Sequence, residues 1–485
     1  MKQNEQAIED MEKIDSCGVY VERDPQIIEG YLRDASNTKG HCEGLLRPTN
    51  AKEVSQILRY CQQHNIPLTV TAQRTSTTGA PVPYGGYLLS TEKMSTIYSD
   101  TEVDGGVILG EYQKMLEDKG WLFPPDPTSR QECSVGGAIA CNASGARSFR
   151  YGATKPWVEA VEVVLANGDI ISADRNTPIP SHWPKIHRPI YNGKNVTGYE
   201  ACDNLLDLMI GQEGTLGIIT KAKLRIIPNP HVLGLLVFFG TLSDCLAFVH
   251  VARTGAERPH SPAMPNSLNP RAIEFFDTNS ISLMRSTITD IPEVVACGLF
   301  MEIESTEEDF PQLTTYMDVL QQHNALVDDI IVADTEQGRA KLYKARHAIP
   351  AGVNEIVIAN GMPKVGTDFA VPDDKLAWMM DNYAEIPLPY VLFGHIGDSH
   401  LHANMLPKNQ EELKFAKEIY RELAMIAVEY GGTVSAEHGI GKIKVGLLED
   451  MLGKDVIDGF RALKKNIDTN SVLGRGTIFT HTNQQ

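Results

Sequence analysis

Apolar positions along the chain fall into helical, alternating and continuous patterns. In NAKEVSQILRYCQQHN (50–65), Val54, Ile57, Leu58 and Cys61 recur at helical spacing. This predicts an amphipathic helix capped by Asn50, with Glu53 in its first turn. IPLTV (66–70) then reads as a strand, and residues 111–119 as a short helix ended by Gly120. WVEAVEVVLANGDIIS (157–172) predicts a hairpin, with Asn167-Gly168 between β-branched runs. GIITKAKLRIIP (217–228) alternates as a half-buried strand that stops at Pro228, and LGLLVFFG (233–240) has the length of a buried strand. From 229 to about 285 the chain reads as loop-rich, notably RPHSPAMPNSLNP (258–270), which predicts a domain boundary. Helical and strand patterns follow to about 430, and a basic terminal helix, GFRALKKNI (459–467), comes after a glycine-rich segment. The first half mixes helices and strands without the strand–helix alternation of a dinucleotide-binding fold, so the fold class is α+β.

Length changes this picture by requiring more than one core: 485 residues predict two or three domains. A net charge of −18 argues against nucleic acid or an anionic membrane surface as principal partner. The start, MKQNEQAIEDMEKIDS, lacks a basic-then-apolar secretion pattern, and no apolar run approaches the length of a transmembrane helix. Eight cysteines are scattered without a C-x-x-C pair, unlike a zinc-ribbon or iron–sulfur layout. A cytoplasmic protein with reduced thiols is the expectation.

Two stretches of the first half carry candidate binding chemistry. VTAQRTSTTGAPVP (70–83) leaves a strand rich in hydroxyls but with Gly79 as its one glycine. PPDPTSRQECSVGGAIACNASGARSFRYGA (124–153) is almost wholly Gly, Ala, Ser and Cys between Ser134 and Ala146. Such a run lets backbone N–H groups approach a bulky anionic ligand, with Gly136-Gly137 and Ser144-Gly145 as close-approach points and Asn142 as a donor. A tightly packed helix–sheet contact uses the same composition.

The second stretch resembles the vanillyl-alcohol-oxidase (PCMH-type) flavoproteins, whose pattern is P-D-P-x-S, then G-G-x-x-x-x-N-A-x-G, then Y-G. Pro125-Asp126-Pro127, Ser129, Gly136-Gly137, Asn142-Ala143, Gly145 and Tyr151-Gly152 match it. GQEGTLGIIT (211–220) is similar to a segment that passes beside the flavin, bringing in Glu213, Gly214 and Ile219. The resemblance implies non-covalent FAD. It makes 70–83 the counterpart of the pyrophosphate loop R-G-G-G-T-x-x-x-G-G, with Thr75 and Gly79 retained and Ala72-Gln73-Arg74 in place of glycines. Arg74 then supplies a charge-assisted contact, and Thr75, Ser76, Thr77 and Thr78 supply hydroxyls.

In the second half, VLFGHIGDSHLHANMLP (391–407) and GGTVSAEHGIGKIKVGLL (431–448) hold His395, His402 and Glu437. Two imidazoles and a carboxylate suit a divalent metal with open positions, although histidines in a glycine-rich turn also serve as structural hydrogen-bonders. His400, two residues before His402, competes as a ligand. These segments are similar to G-H-x-G-D-G-N-x-H and E-H-G-x-G of the FAD-linked D-2-hydroxyacid dehydrogenases. That resemblance implies His395, His402 and Glu437 as ligands to Zn, Mn or Fe, and His438 as the substrate-side base. The chain departs from the pattern at Ser399-His400, where relatives carry Gly-Asn.

LYKARHAIP (342–350) resembles the family's W-x-x-R, with Tyr343 for Trp and Arg346 as the substrate-carboxylate clamp; Lys364 in PKVGTDFAVP is a second anion contact. Lys465 and Asp468 are read onto the family's closing K-x-x-x-D.

The resemblance thus implies four units. They are a helical lead-in (1–39), a PCMH-type FAD-binding domain (40–228), an α+β cap with an antiparallel sheet (229–430) and a C-terminal segment returning to the FAD domain (431–485). It implies oxidation of a small D-2-hydroxy acid, D-lactate first, with glycolate and D-2-hydroxyglutarate behind it. Electrons would pass to electron-transfer flavoprotein, quinone or cytochrome, since no G-x-G-x-x-G follows a strand. A homodimer is an allowed assembly. The rivals are a hydrolase using only the metal residues, and a flavin- or substrate-sensing relative without turnover.

Overall fold

The computed structural model describes residues 19–480 except 192, 260, 308 and 309. Of the predicted lead-in, residues 1–18 lie outside the described residues. Residues 19–39 contribute a strand Val21–Glu22 and a five-residue helix Pro25–Glu29.

The first half contains two four-stranded sheets. One runs in the order Val21–Glu22, Gly44–Leu46, Tyr87–Ser90, Leu68–Thr71, its last three strands parallel. The other is antiparallel, in the order Glu102–Asp104, Gly217–Leu224, Val158–Leu165, Ile170–Asp174. The helix Ala51–His64 forms as its pattern predicts. The Asn50 side chain accepts the Glu53 N–H, Val54, Ile57, Leu58 and Cys61 are buried, and Asn65 turns left-handed to end it. The Asn167-Gly168 hairpin also forms. Gly217–Leu224 differs from the expected half-buried strand. It is central in its sheet, so most of its residues on both faces are covered.

The second half is built on one antiparallel sheet of eight strands. Ile331–Ala333, His231–Phe239, Cys297–Ser305, Pro270–Asp277, Tyr390–His395, His400–Met405 and Val365–Gly366 follow in order, and Phe369–Ala370 also pairs with His400–Met405. The loop-rich reading of 229–285 holds only for the segment between the helix Leu242–Arg253 and the strand Pro270–Asp277. That loop lies inside this sheet domain, because the first strand already starts at His231. A continuous apolar core joins the two halves, running from Val103 and Leu216 through Leu235 and Leu299 to Phe479.

The segment before residue 480 returns to the first half. The Leu68 N–H donates to Val472 O at 2.8 Å and the Gly474 N–H to Leu68 O at 2.9 Å, so the tail covers the open edge of Leu68–Thr71. The lysine holding this return is Lys464, not Lys465. Its buried ammonium contacts Asp468 at 2.5 Å and donates to Thr215 O and Leu473 O. Lys465 sits on the exposed face. Lys464 lies four residues before Asp468, one helical turn away, on the buried face of the helix, whereas Lys465 is on its exposed face.

Asp468 also accepts the Val472 and Leu473 N–H groups. Replacing Asp468 by Asn leaves Lys464 buried without its counter-charge and is expected to cost about 3–5 kcal/mol, read as a lower denaturant midpoint.

Candidate active site

A tight hairpin brings the histidines together. Tyr390–His395 and His400–Met405 pair so that His395 faces His400 and Phe393 faces His402. Ser399, where the family pattern has Gly, closes the turn at φ +52. That left-handed conformation costs a residue with a Cβ roughly 1–2 kcal/mol. Ser399 Oγ offsets it by accepting from Arg253 at 2.8 Å and donating to Asp373 at 2.9 Å. Along His400–Met405 alternate side chains share a face, so His400, His402 and Asn404 point the same way.

Glu437 arrives from the last fifth of the chain and places its carboxylate among the imidazoles. Its Oε2 lies 3.3 Å from His395 Nε2 and its Oε1 3.3 Å from His402 Nε2. The outward nitrogens are committed elsewhere: His395 Nδ1 to the buried carboxylate of Glu274, and His402 Nδ1 to the Thr367 carbonyl at 2.8 Å. An N–H donated outward leaves the Nε2 lone pair facing inward. Two lone pairs and a carboxylate therefore converge, a set that suits a cation. Burial opposes a charge on His395, but Glu274 outweighs it and raises the pKa to about 9. The pocket thus favours positive charge at this point, whether as a proton or as an ion. The donor set fits a divalent metal.

Asp368, from the segment between the sheet's short strands, holds the Glu437-His438 turn. Its carboxylate accepts the Glu437 and His438 N–H groups at 3.2 and 3.1 Å, the Ser435 hydroxyl at 2.9 Å and the Lys444 ammonium at 2.6 Å. His438 stacks on His402, ring centroids 5.3 Å apart, and is the one imidazole here with substantial exposure, 34% of its side chain. Burial, aided by Lys444 and His402, lowers its pKa to about 4 despite Asp368, so it stands neutral.

Arg346 lies one carboxylate away. Its Nε and Nη2 contact Glu274 Oε2 at 2.8 and 2.7 Å, making a chain from Arg346 through Glu274 and His395 to Glu437. Lys364 reaches the histidine face through Asn404, donating to its Oδ1 at 2.9 Å.

On the other side of the site, Thr78 O accepts the N–H groups of Lys442 and Ile443, tying the 70–83 loop to the segment after His438. Arg74 occupies one of the family's glycine positions at φ +60, so the loop keeps a left-handed turn without glycine. Its guanidinium lies over the Tyr31 ring rather than towards residues 75–79. The Gly79 N–H is taken by Asp34 at 2.8 Å. Thr75 is half-buried and Thr77 exposed. Among the described residues, no protein acceptor meets the N–H groups of Thr75, Ser76, Thr77, Ser144, Gly145 or Ala146. Two loops with free backbone donors fit the phosphates of FAD.

Several expected cofactor residues have internal roles that explain their identity. A Cβ on Gly136 would sit 2.7 Å from Gly105 O, and one on Gly145 would run into the Asp126 backbone. Gly137 takes its N–H cap from Ser134, and Ser129 O accepts two turn N–H groups. Asn142, at φ +47, accepts the Lys155 N–H. Tyr151, followed by left-handed Gly152, donates to Glu304 of the second-half sheet, and Ile219 lies buried in a central strand. Glu213 accepts the Ile440 and Gly441 N–H groups at 2.8 Å each, next to Gly214, and burial raises its pKa to about 7.

Residues 42–174 match the family described as FAD binding domain, and residues 235–478, half of the chain, match FAD linked oxidases, C-terminal domain. The chain belongs to the FAD-linked oxidase family. It is 30% identical to a D-lactate dehydrogenase of Anaerostipes hadrus, covering 93% of each chain. It is 29% identical to the glycolate oxidase subunit GlcD of Bacillus subtilis, over 90% of this chain and 89% of that one. It is 28% identical to a D-2-hydroxyglutarate dehydrogenase of Stutzerimonas stutzeri, over 89% and 90%. Among solved structures, an alkyldihydroxyacetonephosphate synthase shares the fold at TM-score 0.65 and 17% identity, covering 94% of this chain and 81% of that one. This FAD-linked oxidase is an oxidoreductase of the D-lactate, glycolate and D-2-hydroxyglutarate dehydrogenase type. No helix among its described residues is long and apolar enough to cross a membrane.

Sequence reasoning missed Glu274, Asp368 and Lys194. Lys194 is buried with its ammonium 3.3 Å from Glu437 Oε2, 3.4 Å from Asp398 Oδ2 and 3.0 Å from Gly145 O. Glu274 had a signal, an acid inside the apolar run AIEFF (272–276). Glu302 in LFMEI (299–303) had the same one. It sits between Arg147 at 3.3 Å and Arg271 at 2.5 Å, at the seam of the two halves, and also accepts from Tyr343.

Burial opposes ionisation of Glu302, but the two arginines overcome it and hold its carboxyl well below the usual range. A depressed folded pKa stabilises the fold above the unfolded value of 4.5 and is lost as pH falls below it. Denaturant midpoints taken from pH 7 to pH 3 should fall steeply below about pH 4.5. Glu302→Gln should be less stable at pH 7 and show a flatter acid limb.

Proposed function

We propose that this FAD-linked oxidase removes a hydride and a proton from a D-2-hydroxy acid, D-lactate being the first candidate, to give the 2-oxo acid. Glycolate and D-2-hydroxyglutarate are the alternatives within the same chemistry. Residues 40–228 hold FAD, 229–430 form the substrate cap, and 431–485 return to the FAD domain. The observation that carries the reading is the neutral, part-exposed His438 stacked on His402, beside an inward-facing set of imidazole lone pairs and carboxylate. When bound, FAD supplies the hydride acceptor, and a divalent ion held by His395, His402 and Glu437 supplies Lewis acidity at the substrate hydroxyl.

The chain's own groups do the rest. His438 accepts the hydroxyl proton at Nε2, since Nδ1 faces Asp368 at 3.5 Å. Arg346 and Lys364 hold the substrate carboxylate, Arg346 with the part of its guanidinium not spent on Glu274. Backbone donors at 75–77 and 144–146 hold the FAD phosphates, with the hydroxyls of Thr75, Ser76, Thr77 and Thr78 beside them. Electrons leave to a non-nicotinamide acceptor such as electron-transfer flavoprotein, quinone or cytochrome.

Anaerobic D-lactate should bleach the 450-nm band of the yellow, FAD-loaded protein, and L-lactate should not. Failure of D-lactate, glycolate and D-2-hydroxyglutarate alike would overturn the proposal. His438→Ala is expected to slow flavin reduction by about 10²–10⁴-fold, measured by stopped flow with FAD binding retained.

A further inference from the structure

We propose that His400 is a fourth protein ligand to the divalent ion, so that the site is a three-imidazole, one-carboxylate set. The inference rests on the metal reading above and extends it with a residue that the family's G-H-x-G-D-G-N-x-H pattern does not supply.

Strand geometry carries the first part. His400 and His402 are two residues apart on one strand and point to one face, with ring centroids 4.5 Å apart at a steep angle. His400 Nδ1 lies 4.0 Å from Glu437 Oε2. One nitrogen from each of His395, His400 and His402 and one Glu437 oxygen all lie within 4.8 Å of one another. Ligand atoms about 2.0–2.2 Å from a tetrahedral ion stand about 3.3–3.6 Å apart. The two 3.3 Å contacts, His395 to Glu437 Oε2 and His402 to Oε1, already have that spacing, and the 4.0 Å contact of His400 to Oε2 needs a small contraction to reach it.

The second part is independent of spacing. His400 is fully buried, yet its Nδ1 has no hydrogen-bond partner among the described residues. An unsatisfied polar atom on a buried ring carries a cost of about 1–3 kcal/mol. Coordination through Nδ1 removes it. Nε2 is already 3.0 Å from Asp368 Oδ1, the place where a carboxylate orients a ligating imidazole from outside. His395 with Glu274 and His402 with Thr367 O have the same plan, an outer acceptor on one nitrogen and the other turned inward. Ser399 holds the turn that aims His400, through Arg253 and Asp373.

The ligand class follows from the donors. Three neutral imidazoles and one carboxylate favour Zn, Fe or Co over Mn or Mg, which prefer oxygen-rich shells.

The test is X-ray absorption at the zinc edge of the zinc-loaded, FAD-containing protein, where the multiple-scattering pattern counts bound imidazoles. Three are expected in the wild type and two in His400→Asn and His400→Gln. Chelator competition should show zinc affinity weaker in both variants by at least the roughly 10–100-fold that loss of an outer-shell partner costs, with the flavin spectrum retained. Two imidazoles in the wild type would overturn the proposal while leaving the metal reading intact, and that count needs no variant to fold. A wild type that retains no zinc, iron or cobalt would overturn both.

Discussion

A single buried carboxylate, Asp368, organises the site. It is closed off from water and accepts two successive backbone N–H groups, a hydroxyl and an ammonium. An unpaired carboxylate at this depth would cost several kcal/mol, so these partners are obligatory. Because two of them are the N–H groups of Glu437 and His438, the same interaction aims adjacent side chains in different directions. Glu437 is directed at the imidazoles and His438 over the face of His402. Lys444 locks the turn from the following helix, and Thr78 extends it to the loop of the first half.

Much of this was legible in the sequence where the controlling contacts are local. The Asn50 cap, the Asn167-Gly168 hairpin and the convergence of His395 and His402 each depend on residues fewer than ten positions apart. Glu437 was legible through its motif. Glu274, Asp368 and Lys194 were not singled out, because each acquires meaning only through a partner 69 to 243 residues away. The acids inside apolar strand runs were the available clue. Sequence periodicity counts them as polar exceptions, whereas here they hold arginines and a histidine in place. The loop-rich reading of 229–285 failed for a related reason. Proline and glycine punctuation marks a long insertion between strands as readily as a boundary between domains.

Small residues illustrate how one composition serves two ends. Gly136 and Gly145 are needed because another backbone passes where a Cβ would stand. Yet in this same stretch the N–H groups of residues 144–146 have no acceptors among the described residues. Tight interior contact and open donors therefore belong to the same stretch and need not be competing explanations. Arg74 makes the complementary point, since a left-handed residue with a long side chain takes a glycine's place by laying its guanidinium on Tyr31.

The tail that lies along Leu68–Thr71 also has a consequence for biosynthesis. The strand's edge is closed by Val472 and Gly474, some four hundred residues further on. A ribosome adding about 5–20 residues per second delivers that partner roughly 20–80 s later. Throughout that interval the nascent first half presents an uncovered strand edge, the kind of surface that recruits other chains. Completion of this sheet therefore waits on residues 472–474, and their pairing with Leu68 is what ends that exposure.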